Sequence, residues 1–459
     1  MLLLNFFKKK QKKKLILPSE LIRQIVLHLK DDKKSLHSCL LVSRDWCRET
    51  VILLWRQPFH FLYTHNKINT SFFSRFKNPN NQCLCCSEEK RQYHAINLLK
   101  TYLLIKNDKE FVEKGIIKAE NERITFNYFE FLCTLDLHEL YCAIKDWNQW
   151  NKSNSKSDEG SNYSRLTFGS MIRYFFTNMP PKLEKLSLDT KFITYEINNT
   201  NFCSFLTEVD EYEDEEGIEY DYYDDYDDDD SYYYCYTWFN NCILEVLTKE
   251  LQIPKNNQLF DNLTELVLTI SENKRRLYFY LSQVCHNIQK LIIGGNFPGR
   301  YDDDAVIRQI TLESKQLAAL IRSQYNLVYL EIFGAPGMNI YEIFKCFDSQ
   351  SNPLKTLIIN NANISISISI ILSSLKHLQN LQELRFNKCS CIRLMMYGIG
   401  IFNFKDNIYE EGLLLPNLKY LQVNCLDENE VIFKELCLRI AYILIRCSPS
   451  LDRSNIRFI

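Results

Sequence analysis

Glycine is scarce in this chain, 12 residues in 459, which leaves few of the tight turns that phosphate loops require. No GxxxxGK[ST], GxSxG or HExxH occurs, so nucleotide hydrolysis, α/β-hydrolase chemistry and zinc-helix proteolysis lack their sequence basis. Gly294-Gly295 follows an expected strand, but no dinucleotide fingerprint continues from it. The eight histidines are dispersed. No apolar run approaches the roughly 18 residues that span a bilayer. Met1-Leu2-Leu3-Leu4 places its apolar residues before the lysines, the reverse of a secretory signal. The seventeen cysteines are odd in number and scattered through leucine-rich phrases, which fits reduced thiols in the cytosol or nucleus. These absences predict a cytoplasmic or nuclear protein that is not an enzyme, with no catalytic, cofactor-binding or metal-binding residues and no membrane span. Hydrophobic residues make up 46% of the chain and charged residues 24%, ordinary values for a globular protein with room for two or three domains.

What is present begins at Leu17-Pro18-Ser19-Glu20-Leu21. Pro18 suits the first turn of a helix, and Leu21, Ile25 and Leu29 follow at intervals of four on one helical face. Asp31 and Asp32 offer capping oxygens to a second helix carrying Leu36, Cys39, Leu40 and Val42. A third carries Trp46, Val51, Leu54 and Trp55. So small a helix trio buries little apolar surface by itself, which points either to a permanent partner or to a helical cap on a larger domain.

The whole series, LPxEL, then Ile and Leu, then LxxxxxV, then Trp46 and Leu54-Trp55-Arg56, resembles the F-box, the adaptor-docking module of cullin-type ubiquitin ligases, and is especially like expanded fungal families. The resemblance covers about a tenth of the chain. It implies that residues 15–56 dock a Skp-type adaptor, with Leu17, Pro18, Leu21, Ile25, Leu36, Leu40 and Val42 as contact positions. Trp46 and Trp55 would then be the module's own packing.

From about residue 126 a second pattern takes over. LxxLxL phrases begin at Leu183, Leu263, Ile288, Leu327, Leu354, Leu381 and Leu418, with Phe131 to Leu137 as a weaker earlier copy. The step from Leu263 to Ile288 is 25 residues, and Leu327, Leu354 and Leu381 are 27 apart. Leucine-rich repeats have this spacing, each unit supplying a short strand with alternate inward residues that only stacked neighbours can bury. The asparagine expected after each strand is mostly missing, although Asn296, Asn360 and Asn387 lie near its place. Helical stretches fall between phrases, at Asp304 to Ile321 and Ile340 to Phe344, and Val431 to Ile445 is expected to cap the C-terminal end.

The predicted architecture is α/β: a basic tail (1–14), the three-helix F-box-like module (15–56), a helical linker (57–125) containing a helix at His94 to Leu104, and an irregular leucine-rich-repeat solenoid (126–459). The solenoid would be a curved parallel sheet with outer helices. Its exposed strand residues Glu265, Lys290, Tyr329, Lys355, Glu383 and Lys419 are candidates for substrate contact, and each is equally a solvated side chain on a strand. The combined expectation is a substrate-recognition subunit of a Skp–cullin–F-box ligase; the alternative is a repeat scaffold with no role in ubiquitin transfer.

Three further clusters stand apart. Glu208 to Asp230 holds fifteen acidic residues in twenty-three positions, and no Lys or Arg lies between Lys191 and Lys249. An insertion at 207–232 of this kind is expected to be disordered, either as solvated low-complexity chain or as bait for a basic target. Lys8 to Lys14 reads as a nuclear import signal, a lipid-binding patch or an ordinary tail. Cys83-Leu84-Cys85-Cys86 with His94 lacks the second ligand pair of a zinc site and reads as loop cysteines. Nothing indicates nucleic-acid binding.

Overall fold

The structure, a computed structural model, describes residues 17–30, 32–63, 88–106, 109–113, 126–154, 168–178, 182–189, 260–269, 274–294, 304–334, 340–350, 353–362, 368–389, 414–425 and 441–458. The basic tail, the acidic run and the Cys83–Cys86 cluster lie outside these residues.

The chain opens with three helices, α1 (Ser19–His28), α2 (Lys33–Leu40) and α3 (Arg44–Arg56). Pro18 stands just before α1, and its carbonyl accepts the N–H groups of Leu21 and Ile22, both at 3.1 Å. The Asp32 carboxylate accepts the N–H groups of Lys34 at 3.1 Å and Ser35 at 3.2 Å, so the start of α2 has its orphan donors satisfied. The Ser43 hydroxyl caps α3 by accepting from the Trp46 N–H at 3.4 Å. Ile22, Val26, Leu36 and Leu54 form the small core, with Leu17, Leu29, Leu40 and Trp46 packed at its edge. The buried positions of α1 are therefore Ile22 and Val26, with half-buried Leu29 just past its end on the same side. Leu21 and Ile25 lie outside that set and are exposed on another face of the helix. The wider i, i+4, i+7 set takes the core.

Asp32 gives a pH prediction. Hydrogen bonds from the Ser35 hydroxyl and N–H, then from Lys34, hold its pKa below the ordinary 3.8. A depressed folded-state pKa stabilises above the unfolded value, and that stabilisation is lost as pH falls through the folded one. Amide-exchange protection of α2 is expected to decline below about pH 4. Asp32→Asn, which caps without titrating, should flatten that decline. An identical acid profile in the variant would show that the cap is not the titrating group.

Beyond the trio lie α4 (His60–Tyr63), α5 (Glu88–Lys106), α6 (Lys109–Glu113), α7 (Leu137–Asn154) and α8 (Phe168–Asn178). Helices α9 (Lys274–Val284), α10 (Asp304–Arg322), α11 (Ile340–Phe344) and α12 (Ile368–Leu375) alternate with the later strands. The strands β1 (Thr134–Asp136), β2 (Lys185–Leu188), β3 (Glu265–Leu268), β4 (Lys290–Gly294), β5 (Tyr329–Phe333), β6 (Thr356–Asn360), β7 (Glu383–Cys389), β8 (Tyr420–Cys425) and β9 (Ile456–Phe458) form one nine-stranded sheet. Every pairing is parallel and the spatial order is the chain order. The sheet passes directly from β2 to β3, whose four residues pair in register.

All three apolar positions of LxxLxL turn inward. Leu183, Leu186 and Leu188 are buried, as are Leu327, Leu330 and Ile332, and Leu381, Leu384 and Phe386. The backbone repeats as regularly. The carbonyl just before one strand accepts two N–H groups at the start of the next: Thr264 O from Gln289 and Lys290, Gln289 O from Val328 and Tyr329, and Val328 O from Lys355 and Thr356. At Gly334 the chains crowd closest. A Cβ there would stand 2.6 Å from the Ala362 Cα, and only glycine lets its N–H reach the Asn360 carbonyl at 2.7 Å.

Two expectations change at the ends. The helix described at 441–446 does not close the sheet, because β9 follows it and pairs with β8. The expected linker also shares the sheet's core. Phe59 and the α5 residues Ala95, Leu99, Tyr102 and Leu103 belong to the same buried cluster as Leu135 and Leu186. Trp55 packs against that cluster and against the helix-trio core, with its ring centroid 3.9 Å from that of Tyr128. The Cys133 N–H donates to the Arg56 carbonyl at 3.0 Å, and the Arg56 guanidinium pairs with Glu184, so the end of α3 is fastened to the first edge of the sheet.

Candidate functional site

Two surfaces and the junction between them are built from these elements. On the helix trio, Leu41 is 88% exposed, Val42 61%, Leu21 46% and Ile25 41%. Among the residues expected to meet an adaptor, Pro18, Leu21, Ile25 and Val42 are exposed, and Leu17 and Leu40 are half-buried at the core's edge. Leu36 is fully buried, so it supports the surface by packing and does not lie on it. Leu27, Leu41 and Ile52 are exposed apolar residues that the motif reading missed. Leu41 follows the end of α2 in the turn before α3, where helical periodicity no longer assigns a face.

On the sheet, register places Lys185, Glu265, Lys290, Tyr329, Thr356, Glu383 and Tyr420 in one row across β2–β8. Four of the six expected contact residues, Glu265, Lys290, Tyr329 and Glu383, stand in that row. Lys355 and Lys419 do not. They are exposed one residue before β6 and β8, and Thr356 and Tyr420 hold their places. Two residues further along runs a second row with Glu331, Ile358, Arg385 and Gln422, reaching Arg457 on β9.

Much of this face is internally matched. Lys185 Nζ lies 3.3 Å from a Glu265 carboxylate oxygen. The Lys290 ammonium is 5.3 Å from the Tyr329 ring centroid. The Tyr329 hydroxyl donates to Glu331 at 2.7 Å, and Asn360 donates to the other Glu331 oxygen at 3.0 Å. Burial, then the Glu331 contact, raises the Tyr329 pKa, so the phenol stays a neutral donor. Arg385 pairs with Glu383, and its guanidinium lies 4.7 Å from the Tyr420 ring. Arg457 approaches the same ring at 5.8 Å.

At the junction, Asp146 of α7 is buried and accepts from Arg91 Nε at 2.9 Å, Arg91 NH2 at 3.1 Å and the Tyr63 hydroxyl at 2.9 Å. His60 Nδ1 lies 3.0 Å from buried Glu139. These contacts clamp α4 and α5 to α7.

The chain matches no known family model, curated protein or solved structure.

Among the described residues there is no group of three or more His, Cys, Asp or Glu that could hold a metal ion, and no helix is long and apolar enough to cross a membrane. Cys39, Cys47, Cys133, Cys142, Cys285, Cys346, Cys389 and Cys447 are not in disulfides. Burial pushes the Cys346 thiol up to about 12 and Cys285 further, which keeps both protonated near neutral pH.

Sequence reading also missed buried amides that join one repeat to the next. Gln324 accepts from the Ile288 N–H at 3.1 Å and donates to the Cys285 carbonyl at 2.7 Å. Gln350 donates to the carbonyls of Ile321 at 2.8 Å and Gln324 at 2.9 Å. Each follows a serine, and that Ser-Gln pair ahead of a strand phrase was the available signal.

Proposed function

We propose that this chain is the substrate-recognition subunit of a cullin–RING (Skp–cullin–F-box) ubiquitin ligase. Helices α1–α3 would dock a Skp-type adaptor, and the exposed face of the sheet, read as a leucine-rich-repeat solenoid, would hold a target protein. The observation that carries this reading is the exposure of Leu21, Ile25, Leu41 and Val42 on a unit whose own core is already filled. Leucine and valine left in water across a small helical unit mark an interaction surface. The LPxEL and Leu54-Trp55-Arg56 resemblance names the partner.

In this reading the chain makes and breaks no covalent bond. It raises the effective concentration of a target lysine at the ligase's thioester. Effective concentration depends on a fixed span between the docking faces, and the Arg56–Cys133 and Arg56–Glu184 contacts support such a span.

Co-expression with a Skp-type adaptor tests the proposal. Soluble one-to-one capture is expected. Leu21→Ala/Val42→Ala should remove about 2–4 kcal/mol of it without unfolding the trio, because both side chains are exposed. A folded chain that captures no adaptor would leave the reading of a repeat scaffold without ubiquitin transfer.

A further inference from the structure

We infer that the β7–β9 end of the exposed sheet face docks a short acidic segment of a partner protein, with the Arg457 guanidinium taking one of its carboxylates. This rests on reading that face as the target-binding surface and adds the chemistry of the target.

The charge balance of the sheet changes along its length. At β2–β3, Lys185 and Glu265 neutralise each other. At β5, Glu331 is occupied by Tyr329 and Asn360. Among the described residues of β7–β9, Arg385, Lys419 and Arg457 are set against Glu383, whose carboxylate is committed to Arg385. Among the described residues no carboxylate pairs with Arg457 or Lys419, and both are exposed. Arg385 and Arg457 reach the Tyr420 ring from strands on either side of β8, at 4.7 and 5.8 Å. The ring gathers two guanidiniums at one place on the surface, and the Tyr420 hydroxyl is held by Gln422 at 2.9 Å.

A guanidinium fork with no carboxylate partner matches a carboxylate in shape and charge. The Glu383 carboxylate beside it opposes a dianionic phosphate more than a monoanion. The tyrosine ring already has guanidiniums against it, so it is not a free platform for a nucleic-acid base. An Asp- or Glu-bearing peptide fits these constraints best.

The test is fluorescence anisotropy with the full chain and a labelled dodecapeptide of alternating Glu and apolar residues, beside its Gln and phosphoserine counterparts. The Glu peptide is expected to bind about tenfold more tightly than the Gln peptide, by an advantage that shrinks as salt rises. Arg457→Gln should abolish most of that advantage, and Lys376→Gln, at an exposed position just after α12, should not. Equal affinity for the Glu and Gln peptides, or no effect of Arg457→Gln in a variant with unchanged melting, overturns the inference. Tenfold preference for phosphoserine reassigns the site to phosphate and overturns it too. So does Glu-peptide binding that emerges only after deletion of Glu208–Asp230, which would give the site to the chain's own acidic run. Adaptor capture measured on the same preparations separates the two readings. Capture without acidic-peptide binding defeats this inference alone, and acidic-peptide binding without capture defeats the ligase reading alone.

Discussion

Asp146→Ala is expected to destabilise the protein by about 3 kcal/mol, because it strands a partly buried guanidinium whose carboxylate is gone. Asp146 is itself buried and serves three donors, two from Arg91 and one from the Tyr63 hydroxyl. Alanine supplies none of those acceptors, and the Arg91 side chain is only 26% exposed, so water recovers little of the loss. Burial and then the Asp146 charge hold the Tyr63 hydroxyl protonated, so it is a donor that loses its acceptor at any pH near neutrality. Urea unfolding of the wild type, Asp146→Ala, Arg91→Met and the double variant would measure the coupling. The double variant should cost less than the two single changes together, since removing both charges leaves neither unpaired. Single-variant costs below about 1 kcal/mol would show that solvent satisfies the network and that it does not clamp the helices.

Asp146 also shows where sequence reading stops. Its partners are 55 and 83 positions away, on segments with no periodic signal tying them to α7. By contrast, the inward columns of the sheet were legible because LxxLxL writes the strand geometry into one phrase. A leucine precedes the strand and alternate residues point inward, and every copy places its apolar positions in the core. The exposed row was legible only where the offset from that first leucine was held constant. Two residues after Leu327 is Tyr329, and two after Leu381 is Glu383. Choosing the charged Lys355 and Lys419 moved one residue back from Thr356 and Tyr420, and a one-residue slip in a strand changes which residue is the neighbour.

Other signals were present and went unread. Asparagine directly precedes the phrases that start at Leu263, Ile288, Leu327, Leu381 and Leu418. Two of these bridge to the preceding repeat, Asn287 to the Asp261 carbonyl at 3.1 Å and Asn417 to the Gln379 carbonyl at 2.9 Å. Strand β9 carried no LxxLxL at all. Its three residues pair by register alone, and the site assigned to Arg457 follows from that pairing.

Leu36→Ala is expected to have the largest effect on the helix trio, about 2–5 kcal/mol from lost burial and the cavity left behind. Among the described residues, four buried side chains, Ile22, Val26, Leu36 and Leu54, make up that core, so the loss falls on a unit with little reserve. The inward leucines of the sheet lie in a separate cluster, and Trp55 is the side chain that packs on both. Hydrogen exchange should therefore show α1–α3 deprotected while β3–β8 keep their protection, and adaptor capture should fail with the trio. Val42→Asp provides the opposite pattern, with capture lost and exchange unchanged, because its side chain is 61% exposed and supports nothing beneath it. Equal protection of α1–α3 in Leu36→Ala and wild type would mean that the trio is held by the sheet through Trp55 and Arg56. Two residues of one motif thus separate physically: Val42 would meet the partner, and Leu36 would keep the surface that meets it in place.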